Sequence, residues 1–231
     1  MKILAIDTSS KICSVCILEN DKIILEKHND DEKTHSQKLM PLVDEILKNC
    51  NLELKDIDLF SCCVGPGSFT GLRIGISTVK AFADSLDKPV SGVSSLEGLA
   101  YNINQESTIA SLIDAKNENV YLGIYSYKEN VYTRLEDERA TTINDAISSL
   151  EKYKDNNLII VGDCACIYQD LIKEKLTNAS FADESQNIQT SSSIGRCSYK
   201  KYQEGLYGNS NTLIPLYLRK SQAERALDGE K

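Results

Sequence analysis

The chain has 231 residues, 41% hydrophobic and 26% charged, with a net charge of −8. That balance belongs to a globular chain with a sizeable core, long enough for one large domain or two small ones. No apolar run approaches the ~18–20 residues that cross a bilayer, and the apolar stretch 3–6 is too short for a signal-peptide core, so a cytoplasmic protein with no membrane contact is expected. The acidic balance leaves little surplus for the basic face that a free-standing nucleic-acid binder needs; any such contact is expected to come through a partner.

Residues 2–7, 12–19 and 22–27 read as three strands of an N-terminal meander, with Asn20-Asp21 as a turn. The acidic stretch 29–33 reads as a mobile loop. Leu39, Leu42, Val43, Ile46, Leu47 and Cys50 recur at helical spacing and predict a helix over 36–50, starting or kinking near Pro41. A continuous apolar strand over 57–64 runs into a glycine-rich turn and a helix over 72–86. A strand at 89–93 follows, then a helix start with Ser94 as cap and Glu97 completing a capping box.

Beyond 104 the pattern is repeated more loosely. Strands are predicted at 108–113, 119–127, 130–134 and 158–162, and helices at 143–153, 165–176 and 194–204. Residues 177–193 read as a long loop. An apolar stretch covers 213–219, and the charged last dozen residues are expected to fray. Two lobes, 1–103 and 104–231, each with a meander followed by strand–helix units, suggest an α/β protein of the actin-like or hexokinase-like kind, with the last residues able to pack back on the first lobe.

The segment Gly65-Pro66-Gly67-Ser68-Phe69-Thr70-Gly71-Leu72-Arg73-Ile74-Gly75 lies between a buried strand and a helix. Its glycines permit a sharp turn and leave amides uncovered at a helix start, a place that can hold an anion. It lacks the Gly-Lys-Ser/Thr ending of a Walker loop. The competing reading is a tight turn that packs the helix against the sheet. The helix itself has two low-polarity sides. Leu72, Ile76, Val79, Phe82, Ala83 and Leu86 form a core stripe, while Ile74, Ser77, Thr78, Ala81 and Ser85 are small or weakly polar. Either the second side is also internal, or it meets another polypeptide.

Eight cysteines and two histidines offer little further chemistry. Cys13 and Cys16 have metal-site spacing, but positions i and i+3 of a strand point to opposite faces. The cysteines read as buried thiols of a reducing compartment, with a redox or metal role left open at Cys164 and Cys166. His28 and His35 flank the acidic loop and do not form a metal pair; His35 reads as the opening of the helix over 36–50. Asp7, at the end of the first strand, either bonds amides of its own turn or holds a hydrated Mg²⁺. Asp114 has the equivalent place in the second lobe.

The runs 3–10, 65–75, 94–100 and 215–219 resemble the TsaB family, also called YeaZ, in order and through most of the chain. Asp114-Ala115-Lys116 resembles that family's Asp-Ala-Arg segment, with lysine in place of a bidentate guanidinium. The resemblance implies an ASKHA (actin-like/hexokinase-like) fold and a non-catalytic subunit of the bacterial system that forms threonylcarbamoyladenosine at position 37 of tRNAs reading ANN codons. Its implied partners are a TsaD-type catalytic subunit, a TsaE-type ATPase, a second copy of the chain in isolation, and tRNA only through the complex.

It also implies an interface built from the helices at 36–50 and 72–86, with Leu39, Val43, Ile46 and Leu47 from the first and Ile74, Ser77, Thr78, Ala81 and Ser85 from the second. No catalytic residues and no metal ligands are expected. Asp7, Ser9, Gly65, Gly67 and Asp114 mark a vestigial cleft, and ATP or ADP, or Mg²⁺, is a weak prospect there or at a subunit interface. In actin-like ATPases the first hairpin carries Asp-x-Gly; here Asp7-Thr8-Ser9-Ser10 puts a side chain where phosphate would approach. The alternative function is an active ATPase or small-molecule kinase of the same fold. A peptidase lacks a recognisable Ser/His/Asp set.

Overall fold

The computed structural model describes residues 1–31 and 33–219; the charged final stretch expected to fray lies outside them. Strands β1 (Lys2–Asp7), β2 (Cys13–Glu19) and β3 (Lys22–Asn29) form the meander. They are followed by α1 (His35–Asn49), β4 (Leu59–Gly65), α2 (Phe69–Leu86), β5 (Val90–Ser94) and α3 (Ser95–Ala100). The second half comprises β6 (Ser107–Asp114), β7 (Asn119–Lys128), β8 (Val131–Thr142), α4 (Ile143–Leu150), β9 (Leu158–Val161), α5 (Cys164–Ile167), α6 (Gln169–Lys175), β10 (Ser180–Phe181) and α7 (Ser191–Gln203).

The two sheets share one topology. The first has the order β3-β2-β1-β4-β5 and the second β8-β7-β6-β9-β10. In each, the meander strands pair antiparallel and the next two strands add parallel to the central one. Parallel pairing requires a crossover connection; α1 and α2 supply it in the first lobe, and α4 and the α5–α6 pair in the second. Parallel strands buried on both faces read as continuous apolar runs, which is why residues 59–63 and 158–161 are buried throughout.

Several predicted boundaries shift. The helix predicted over 36–50 begins at His35, and Pro41 lies within it. Thr34 precedes it, with its N–H donating to Gln37 Oε1 at 3.2 Å. The helix predicted over 165–176 breaks at Tyr168 into α5 and α6. The strand predicted at 130–134 extends to Thr142, and the loop predicted over 177–193 contains β10 and a 3-10 turn at Glu184–Asn187.

The lobe boundary is also corrected. Helix α7 packs on β1, β2, β4 and β5, and Ile194 and Cys197 join the first lobe's core. Residues 104–231 are therefore not one lobe, because α7 returns to cover the first sheet. The cause is the open face of that sheet. On it lie Ala5 and Leu18, which a Cβ at Gly195 would meet at 3.1 and 2.2 Å, and Ser61, whose hydroxyl bonds that of Ser198. The start of α7 is tied down by Glu26 of β3, whose carboxylate accepts from Ser191 Oγ (2.9 Å), Ser192 N (2.7 Å) and Ser192 Oγ (2.8 Å). A carboxylate at a helix start satisfies free amides and suits the dipole.

Glu97 does not complete a capping box. Ser94 Oγ accepts from Leu96 N at 3.1 Å as the cap, but the Glu97 carboxylate accepts from Lys201 Nζ of α7 at 2.7 Å. Arg134 of β8 lies 3.8 Å from Glu97 and 3.1 Å from Glu138, whose Oε1 accepts from Tyr125 OH at 2.5 Å. This chain of charges, beside the stacked rings of Tyr101 and Tyr132 (3.9 Å), joins α3 and α7 to the second sheet. Removing one partner of a buried pair leaves an uncompensated charge. Glu97→Ala is expected to lower the unfolding free energy by on the order of 3 kcal/mol, and Glu97→Ala/Lys201→Met to cost less. Urea unfolding of the two variants and the parent checks this order.

Candidate functional site: an inter-lobe cleft and an open helix face

The carboxyl ends of β1, β4, β6 and β9 converge on a cleft of about 930 Å³ between the lobes. Ser9 and Gly67 line it from the first lobe, and Asp114 and Lys116 from the second. Of the five residues expected to mark this cleft, Ser9, Gly67 and Asp114 line it; Asp7 and Gly65 do not.

Asp7 turns into the protein. Its Oδ1 accepts from Ser9 N at 2.8 Å and from Ser9 Oγ at 2.6 Å, while its Oδ2 is buried without a hydrogen-bond partner. Burial pushes the carboxyl up to about 6; the two bonds from Ser9 oppose this, and the like charge of Glu26 adds to it. Gly65 has φ +111°, and a Cβ there would meet Leu216 O at 2.8 Å. Its place is to let the chain after 212 pass, not to approach a ligand.

The other glycines are closed by the protein itself. A Cβ at Gly67 would lie 2.5 Å from Ser9 O, at Gly71 2.0 Å from Thr8 O, and at Gly75 2.4 Å from Thr8 Oγ1. Gly67 before the helix and Gly71 and Gly75 within it put the start of α2 directly on the 8–9 turn. Ser9 O also accepts from Ser68 N (2.8 Å), and Thr8 Oγ1 donates to Gly71 O (2.7 Å). The turn therefore packs closely on the start of α2, while Ser9, Gly67 and Ser68 still line the open cleft. Ser68 caps α2, with its Oγ accepting from Gly71 N at 3.2 Å.

In the second lobe, Asp114 Oδ1 accepts from Lys116 N at 2.9 Å and Oδ2 pairs with Lys116 Nζ at 2.5 Å. Residues Lys116, Asn117 and Glu118 all have positive φ, a left-handed turn that L side chains adopt at some cost. Asp114 N donates to Asp163 Oδ1 at 2.9 Å. Burial holds the Asp163 carboxyl above its usual range, with the Asp114 N–H opposing and the Asp114 charge adding. Sequence reading missed Asp163 and Asn187, whose Oδ1 accepts from Gly162 N at 2.9 Å. The signal for Asp163 was present: it follows the apolar run of β9 as the glycine turn follows β4, and strand carboxyl ends are where open α/β sheets gather functional groups.

Cys16 pairs with Ala5 on the face covered by α7, whereas Cys13 feels Lys38 of α1, so the two do point apart. His35 opens α1 and its Nε2 bonds Ser10 O at 2.8 Å; His28 lies in β3 opposite Ser14. Among the described residues no cluster of three or more His, Cys, Asp or Glu is placed to hold a metal, and Cys164 is buried while Cys166 is exposed.

The second candidate surface lies on α1 and α2. Leu39, Val43, Ile46 and Leu47 are 1, 2, 0 and 7% exposed. The expectation that they meet a partner is corrected: they form the single apolar stripe of α1, and the first sheet takes it. Ser36, Met40 and Asp44 occupy the outward positions. On α2, Arg73, Ser77, Ala81, Asp84 and Ser85 are exposed, and Ile74 and Thr78 are half-buried. A groove between the helices is lined by Ser36, Leu39, Met40, Thr70, Arg73, Ile74, Ser77 and Thr78. Thr78 Oγ1 donates to Ile74 O (2.9 Å) and Ser85 Oγ to Phe82 O (3.0 Å). Their hydroxyl protons are thus satisfied within the helix, which lowers the cost of covering them.

This two-lobed arrangement of duplicated sheets around a cleft defines an ASKHA protein. A ROK hexokinase from Thermus thermophilus shares the fold, with a TM-score of 0.57 at 9% identity over 89% of this chain and all of that one. More specific matches exist. YeaZ from Pseudomonas aeruginosa superposes with a TM-score of 0.79 at 25% identity, over 94% of this chain and 99% of that one. Residues 29–227 match the family described as TsaD, tRNA N6-adenosine threonylcarbamoyltransferase. The chain is 33% identical to the tRNA threonylcarbamoyladenosine biosynthesis protein TsaB of Bacillus subtilis, over 97% of this chain and 96% of that one. The Escherichia coli protein of the same name is 29% identical over the whole of both chains. The chain belongs to the TsaB (YeaZ) family. No helix among the described residues is long and apolar enough to cross a membrane.

Two outcomes follow from the cleft. Gly71→Ala forces its Cβ against the Thr8 carbonyl and is expected to cost about 2–3 kcal/mol; a phosphate-binding glycine would tolerate the change in a thermal melt without ligand. The second concerns pH. The folded-state value of Asp7 lies above that of an unfolded aspartate, so the native state binds the extra proton between about pH 4 and 6. This contribution to stability is present at low pH and lost as pH rises through 6, on the order of 2–3 kcal/mol. Asp7→Asn is expected to gain on the parent by that order between pH 4.5 and 7.5; a difference flat in pH would show that the carboxyl is not raised.

Proposed function

We propose that the chain serves tRNA threonylcarbamoyladenosine biosynthesis as a non-catalytic subunit. It docks a TsaD-type catalytic subunit on the α1–α2 face, for transfer to adenosine 37 of tRNAs that read ANN codons. The observation that carries this reading is the outer side of α2. It is small, internally hydrogen-bonded and open, and it continues into a groove beside Met40, which is 48% exposed. Small residues let helices approach closely, so backbone and side chains of both can pack. With a net charge of −8, the chain is poorly suited to hold tRNA alone, so tRNA is reached through the complex, and a TsaE-type ATPase completes the assembly.

The same face fits a second copy of the chain. Arg73, Ser77, Ala81 and Asp84 recur at spacings of four, four and three and form one exposed stripe. Packed antiparallel about a two-fold axis near the small residues Ser77 and Ala81, the same patch serves both subunits. The homodimer is the resting state, and the catalytic partner displaces one copy.

The competing ATPase or kinase reading is disfavoured by the 8–9 turn, which fills the space beside Gly67 and Gly71. No nucleotide or metal in the cleft is needed for the docking role.

Ala81→Arg and Ser77→Glu are expected to abolish both homodimer and co-purification with the TsaD-type subunit, with thermal unfolding within a few degrees of the parent. Size-exclusion chromatography with light scattering, with and without the partner, reads this out. Undiminished association, or a variant that no longer folds as a monomer, would overturn the assignment of this face.

A further inference from the structure

Residues 213–219 follow the last 3-10 turn (Ser210–Thr212) and run along the join between the lobes without joining a sheet. Leu213 is buried in the first lobe's core. Leu216 N donates to Val64 O, near the end of β4, at 2.7 Å. The Tyr217 ring stacks on Phe69 with centroids 4.6 Å apart, and its hydroxyl accepts from Arg73 Nε at 3.0 Å. The Arg73 guanidinium lies 5.9 Å from the same ring's centroid. Leu218 packs against the cluster that contains Leu99, Ile113 and Tyr121. Arg219 Nη1 donates to Ala115 O, just beyond β6, at 2.6 Å.

The ends of this segment therefore hold opposed walls. Phe69 and Ala115 both line the cleft, one from each lobe. The Glu97–Lys201–Arg134 junction is one attachment between the lobes, and this segment is a second and separate one. Bonds from Asn102, just past α3, to the Gln186 and Ile188 carbonyls add a third attachment; each opposes rotation of the lobes, and the segment 213–219 does so at the cleft walls themselves. Arg73 adds a further consequence. It lines the groove between α1 and α2 and makes no ion pair among the described residues. Its partner is a neutral phenol, and a carboxylate binds guanidinium more strongly than a phenol does.

We propose that residues 213–219 are a strap that fixes the cleft width, and that Arg73 is its anchor on α2. A polypeptide seated in the α1–α2 groove that draws the guanidinium to a carboxylate weakens the hold on Tyr217 and loosens the strap. The clamp stands on the contacts of this chain alone; its link to docking rests on the proposed function.

Hydrogen–deuterium exchange of the full chain, followed by mass spectrometry, tests both parts. Arg219→Ala and Tyr217→Leu are each expected to raise amide exchange about tenfold or more in peptides spanning 65–69 and 113–121, while peptides from α1 and α4 keep their protection. Tyr217→Phe keeps the stacked ring and loses only the bond from Arg73, so a smaller rise is expected, no larger than that of Arg73→Gln, which also loses the guanidinium over the ring, and the double variant is expected to match Arg73→Gln. Unchanged exchange at 113–121 in both Arg219→Ala and Tyr217→Leu overturns the clamp, as does a rise spread evenly over α1 and α4. For the link, the parent protein is mixed with the TsaD-type subunit, and exchange at 213–219 is expected to rise on complex formation. A complex that forms on chromatography but leaves 213–219 unchanged or better protected overturns the link and spares the docking assignment. No complex at all defeats the docking assignment and the link, and the clamp variants remain decisive without it.

Discussion

The Thr8 carbonyl lies 2.0 Å from where a Cβ on Gly71 would be, and much of the first lobe's arrangement depends on that contact. The 8–9 turn and the first two turns of α2 share one space because Gly67, Gly71 and Gly75 present no side chains to it. The approach draws α2 onto β1 and β4 and buries its stripe of Leu72, Ile76, Val79, Phe82 and Ala83, each worth about 1.5–3 kcal/mol for the larger side chains. It also sets which flank of α2 remains outside. The glycine segment packs α2 on the 8–9 turn, and the helix face opposite it stays exposed.

The cleft tells a related story. In both lobes a carboxylate ends the central strand, and in both it is turned toward its own chain: Asp7 to Ser9, Asp114 to Lys116. Asp7 Oδ2 is left buried without a hydrogen-bond partner, whereas Asp114 still lines the cleft. The lobes meet through Glu97, Lys201 and Arg134 at one place and along residues 213–219 at another. Both attachments lie beside the cleft, and the groove between α1 and α2 stays open on the first lobe.

Much of this was legible in the chain. Alternating and continuous apolar runs located every strand except the two-residue β10, because burial on one or both sheet faces leaves a direct mark on composition. The two low-polarity sides of α2 were visible for the same reason. The cysteine pair at 13 and 16 could be set aside from strand parity alone. Less legible were contacts between segments far apart in sequence. Glu97 has the spacing of a capping residue, yet Lys201 of α7 provides a stronger partner. Leu39, Val43, Ile46 and Leu47 have the pattern of a helical contact face, and periodicity does not say whether the sheet of the same lobe or another subunit takes that face.

The order of strands and helices, the family resemblance and the small outer flank of α2 were determined by the sequence itself, since each rests on local periodicity or a contiguous motif. The tertiary structure alone decided that α7 belongs to the first lobe, that Asn187 joins the cleft, and that Tyr217 and Arg219 bridge two walls. Those facts depend on which distant segments share a space. That choice is made by shape, by hydrogen-bond satisfaction and by the absence of a Cβ at a few positions, none of which leaves a periodic trace along the chain.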